Sequence, residues 1–81
     1  MLNQRQITQL RSRMGLTQAK FANLLGVANV LTISHWETGV SLPKGAVMRF
    51  LCLLDNLSDF ELKKIVTHLE QLSRVTLTTK N

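Results

Sequence analysis

The stretch GLTQAKFANLLGVANVLTISHWETG, residues 15–39, reads as two short amphipathic helices on either side of one glycine. Two helices crossing near a right angle need a small residue where they nearly touch, a turn residue that tolerates positive φ, and a few apolar wedges. Ala22, Gly26, Ile33 and Trp36 supply these in that order. Thr17 is a good N-cap for helix 2, whose inward face is Phe21, Ala22, Leu24 and Leu25. Asn29 should cap helix 3 by accepting the backbone N–H of Leu31 or Thr32, with Ile33 and Trp36 facing the core and Gly39 just past the end. Helices 2 and 3 therefore fall at about residues 17–38.

The rest of the chain also follows helical spacing. Ile7, Leu10 and Met14 recur on one face of helix 1, which Asn3 and Gln6 can cap and Gly15 stops. Pro43 marks the first turn of helix 4. That helix runs on through KGAVMRFLCLLD, apolar nearly all round except at Lys44 and Arg49, and is expected to be the central buried one. Ser58 and Glu61 form a capping box for helix 5, at about 58–74, where Leu62, Ile65, Leu69 and Leu72 keep one face. The β-branched VTLTT has no strand partner in this chain and reads as frayed or disordered, with strand pairing between chains the alternative. The expected fold is all-α, a compact five-helix bundle in a single domain over residues 1–75, followed by a flexible tail at 76–81.

Charge divides the chain in two. Ten Lys and Arg stand against five Asp and Glu, a net +5. Residues 1–50 hold Arg5, Arg11, Arg13, Lys20, Lys44 and Arg49 against Glu37 alone, whereas residues 51–81 are balanced. An excess confined to one half suggests a surface that meets a polyanion, the bland alternative being a solvated face with surplus lysine. Cys52 is the one cysteine, so there is no disulfide framework and a reduced cytoplasm fits. No stretch is apolar enough for a signal peptide or a spanning helix. His35 and His68 lie on separate helices and no metal-ligand spacing such as C-x-x-C occurs. Neither an enzyme nor a metal or other cofactor is expected.

LTQAKFANLLGV, TISHWETG and PKGAVMRFL resemble the lambda-repressor-like helix-turn-helix family of phage repressor and Cro proteins, also called XRE. The P-x-G-A at the start of helix 4 looks like that of small antitoxin-type and autoregulatory members. The resemblance covers about residues 4–55 and implies a four- or five-helix bundle whose third helix enters the DNA major groove. It implies that Gln18 contacts a phosphate, and that Arg11 pairs with Glu37 to tie helix 1 to helix 3. The ten-residue step from Gly26 to Trp36 is one longer than usual. Placing the extra residue in the turn, as Val27-Ala28 before Asn29, keeps Ile33 and Trp36 in register. Inside the helix it would rotate that face by about 100°.

With Asn29 as cap, Asn29, Val30, Leu31, Thr32, Ser34 and His35 become the expected base contacts. Val30 and Leu31 would face thymine C5-methyl groups, the apolar feature of the major groove. The alternative for Val30 is to pack beneath the turn with Val27. Helix 3 has no Arg or Gln for a bidentate base contact, so specificity must lean partly on DNA shape. Thr17, Gln18, Lys20, Arg11, Ser41 and Lys44 are the expected phosphate contacts, with Arg13 a further candidate. One short helix gives modest specificity, so a homodimer is expected, using Phe60, Ile65, Val66, Leu69 and Leu72 of helix 5, with Met48, Cys52 and Leu53 of helix 4 beside them. The alternative is that helix 5 only completes the monomer core. The expected function is a cytoplasmic, bacterial or phage-encoded repressor or autoregulator on double-stranded DNA. The competing expectation is an antitoxin or antirepressor that binds a partner protein, such as a toxin or phage protein.

Overall fold

The computed structural model describes the backbone of residues 1–78 and the side chains of residues 1–72. Five helices follow one another: α1 (Gln4–Arg13), α2 (Gln18–Leu25), α3 (Val30–Thr38), α4 (Gly45–Asp55) and α5 (Asp59–Thr78). Among the described residues there is no strand.

Side-chain caps fix most of the helix starts. Asn3 Oδ1 accepts the Gln6 N–H and Gln6 Oε1 accepts the Asn3 N–H, both at 2.9 Å, satisfying two orphan donors of α1 reciprocally. Ser58 and Glu61 do the same for α5. The hydrogen bonds from Ser58 hold the Glu61 carboxyl below its ordinary value. Thr17 Oγ1 accepts the Lys20 N–H of α2, and Asn29 Oδ1 accepts the Leu31 N–H of α3. At the end of α2, Gly26 turns left-handed at φ 73°, which lets its own N–H reach the Asn23 carbonyl and that of Val27 reach Ala22.

The core is assembled from one stripe of each helix. Ile7 and Leu10 of α1, Phe21 of α2, Ile33 and Trp36 of α3, Met48, Leu51 and Leu54 of α4 and Leu62 of α5 are all buried. α3 packs on both α1 and α2, α5 on α2, and α4 on α1. Arg13 locks the far end, donating from Nε to Asp59 Oδ1 at 2.9 Å and from its two terminal nitrogens to the carbonyls of Asp55 and Leu57. It is thereby committed to the α4–α5 junction and is not a free phosphate contact.

Three expectations about the second half are corrected. Pro43 is not in the first turn of α4. Lys44 is extended at the N-cap and offers no side-chain cap, and the helix begins at Gly45, whose φ of 57° is open to glycine and lets the chain change direction there. α4 is not a central helix covered all round. Met48, Leu51 and Leu54 are buried, Val47, Phe50 and Cys52 are half-buried, and Leu53 is 58% exposed. A chain this small lacks the neighbours to cover two faces of one helix. α5 continues to Thr78, past the expected end at 74, so residues 76–78 of the expected flexible tail are helical. No glycine or proline interrupts that run. Residues 79–81 lie outside the described ones.

The one-sided burial of α4 sets up a comparison by urea unfolding. Leu51→Ala, at a fully buried site, should cost about 2–5 kcal/mol, whereas Leu53→Ala should stay within about 0.5 kcal/mol of the parent. Equal losses would mean that both faces are packed.

Candidate nucleic-acid interface

α3 has one face for the core and one for solvent. Ile33 and Trp36 are buried, so with 100° between successive residues the opposite face is centred on Leu31, Ser34, His35 and Thr38. Leu31 is 57% exposed and Val30, at the edge of that face, 42%. His35 is exposed, while Ser34 and Thr32 are half-buried. Asn29, also exposed, has its Oδ1 committed to capping, which leaves its two Nδ2 hydrogens free. Val27 is half-buried against the core, so the slot beneath the turn is filled by Val27 rather than by Val30. The whole link from Gly26 to Asn29 lies outside the two helices.

A carboxylate holds this helix in place. Arg11 Nε donates to Glu37 Oε2 at 2.6 Å and Arg11 Nη2 to Glu37 Oε1 at 3.0 Å, a fork-on-fork pair. Arg11 Nη1 reaches the Leu16 carbonyl at 2.9 Å, and Gln18 Nε2 adds a bond to Glu37 Oε1 at 3.1 Å. One carboxylate therefore joins α1 and α2 to α3, and Arg11 ties the α1–α2 link to the same cluster. Burial by itself would push the Glu37 carboxyl up, but the hydrogen bonds from Arg11 and Gln18 and the charge of Arg11 outweigh it and bring the value below 4.5. The same hydrogen bond raises the pKa of Arg11.

The expected phosphate contacts divide into two groups. Lys20, Ser41 and Lys44 are exposed. Thr17 is exposed too, but its hydroxyl oxygen already accepts from Lys20. Gln18 and Arg11 are half-buried and turned toward Glu37, with two guanidinium hydrogens of Arg11 left over. The resemblance that implied a phosphate contact for Gln18 gave no sign of this inward bond. The expected dimer residues are likewise split: Phe60 and Leu72 are exposed, whereas Ile65 and Val66 pack partly against the core and Leu69 is half-buried. Beside them Met48 is buried, so it cannot belong to an exposed patch with Leu53.

Two residues near the site escaped the sequence reading. Thr38 shares the outer face of α3, but its hydroxyl donates back to the Ser34 carbonyl at 2.9 Å. Asn23 of α2 lines a shallow notch with Ala19, Ala28, Asn29 and Val30. Its place three residues after Lys20 was a signal, because both then share one side of α2. Among the described residues no cluster of His, Cys, Asp or Glu could hold a metal ion, and no helix is long and apolar enough to cross a membrane. Comparison with protein-family models, with curated proteins and with solved structures finds no match to this chain.

Chemically, the site is an exposed helix surface with methyl groups, hydroxyls and an imidazole, set on a rigid and internally neutralised support. That support should be pH-dependent. Because the Glu37 carboxyl is lowered on folding, its contribution is full above about pH 4.5 and fades as pH falls through the folded value. Glu37→Gln should cost about 2 kcal/mol at pH 7, and the gap to the parent protein should narrow below pH 4.5 in urea titrations. A gap that stays constant down to pH 3 would contradict the role given to this carboxylate.

Proposed function

We propose that this chain is a sequence-specific regulator that binds double-stranded DNA, with α2, the link at 26–29 and α3 acting as a helix-turn-helix of the lambda-repressor-like kind. The observation that carries the reading is the two-faced character of α3: Ile33, Trp36 and Glu37 anchor one side, while Leu31 and His35 stand in solvent. A helix held in this way fits the major groove, and the exposed Val30 and Leu31 at its start suit thymine methyl groups. Arg11 and Arg13 are neutralised internally, so the positive excess of the first half rests on Arg5, Lys20, Lys44 and Arg49, all exposed. Lys20 and Lys44, on the elements that flank α3, are the cations assigned to phosphates. Gln18 keeps a positioning role through Glu37.

The protein acts as a homodimer on an inverted repeat, as a repressor or autoregulator, with α5 and its exposed Phe60 ring forming the contact between subunits. Binding through phosphates releases counterions. With about four such contacts per complex, affinity for a selected duplex should fall about a hundredfold between 50 and 200 mM salt, as read by fluorescence anisotropy. Binding that ignores salt, or no retention of any duplex at low salt, would leave the competing partner-protein reading in its place.

Methyl recognition by Leu31 can be isolated. Replacing the contacted thymine with uracil should weaken binding about fourfold, from roughly 0.8 kcal/mol per buried methyl, and Leu31→Ala should remove that difference. Uracil tolerated at every position of the operator would dismiss the methyl contact.

A further inference from the structure

The notch between α2 and the start of α3 has a lining whose chemistry matches one base pair. Its lining includes Asn23, an exposed carboxamide without a hydrogen-bond partner among the described residues. It also includes Asn29, whose oxygen is taken by the Leu31 N–H and whose Nδ2 can only donate. The same lining carries the methyl groups of Ala19, Ala28 and Val30. No charged side chain lines the notch among the described residues. An uncharged base edge finds donors, an acceptor and methyl groups in this lining.

We infer that this notch reads an A·T base pair through its major-groove edge, with Asn23 as a specificity-determining residue on α2. The inference rests on the DNA-binding reading above. Across that edge an A·T pair presents the adenine N7 acceptor, the adenine N6 donor, the thymine O4 acceptor and the thymine methyl, in that order. The Asn23 carboxamide donates to N7 and accepts from N6. The Asn29 Nδ2 donates to O4, and Ala28 and Val30 receive the methyl. In a G·C pair the same Asn29 hydrogens would meet the cytosine N4 donor, so the pattern rejects that pair as well as accepting its own. Helix 3 without Arg or Gln thus need not rely on DNA shape alone, because the bidentate group is supplied by the neighbouring helix.

The test selects binding sites from random duplexes with the parent protein, Asn23→Ala and Asn29→Ser, the last keeping an oxygen for the cap. The parent should show a strong A·T preference at one position of each half-site, and Asn23→Ala should reduce that discrimination about tenfold while leaving the other positions intact. 7-Deazaadenine at that position, which removes the N7 acceptor, should weaken the parent about fivefold and Asn23→Ala not at all. Because the deaza substitution needs no change in the protein, it reports on the contact even if a variant folds poorly. A parent that selects a sequence but is indifferent to deazaadenine, or an Asn23→Ala that weakens all duplexes equally, overturns the notch and leaves the DNA-binding reading standing. A parent that retains no duplex at low salt overturns both.

Discussion

The Glu37 carboxylate is where three helices meet. It receives two bonds from Arg11 of α1 and one from Gln18 of α2, and it leaves α3 one residue after Trp36 has entered the core. The apolar contacts of Ile33 and Trp36 fix how deep α3 sits, but such contacts are non-directional and would tolerate small rotations. The forked ion pair is directional, and it sets which side chains of α3 point outward. A partly buried pair of this kind contributes more to geometry than to net stability, and geometry is what the proposed reading face requires.

Internal pairing also decides what the net charge means. Two of the six cations in the first half are consumed in structure, Arg11 by Glu37 and Arg13 by Asp55 and Asp59. The acidic residues that balance the second half are therefore partly spent on holding helices together. What remains on the surface is a smaller but less compensated positive charge, and one that a uniform count along the chain does not place. Long-range attraction for a polyanion depends on those remaining cations and is screened over about 10 Å at ordinary salt.

Both proposals place recognition on features of different rigidity. Leu31 and His35 stand on a helix whose opposite face is locked, so their positions are set before any ligand arrives. Asn23 projects from α2, and Asn29 from the link. The Gly26 turn and the Asn29 cap fix the link by hydrogen bonds at both ends, the Val27 N–H returning to Ala22 and the Leu31 N–H to Asn29. The four-residue link is thus compatible with a defined notch, since it is closed by hydrogen bonds at both ends and not left loose.

Local sequence by itself determined where most helices begin and end, because Asn3, Thr17, Asn29, Ser58 and Gly26 act through bonds that close within six residues of chain. Asn23 and Asn29 were equally visible, but nothing local indicated that they line one notch. The Arg11–Glu37 pair was legible only through family resemblance, since 26 residues separate its ends. Tertiary structure alone decided that one face of α4 is left partly uncovered, that Gln18 turns inward, and that Arg13 clamps the α4–α5 junction. The physical reason is range: caps and turns are settled by neighbours in sequence, whereas burial and long-range pairing depend on which surfaces a small chain has left with which to cover them.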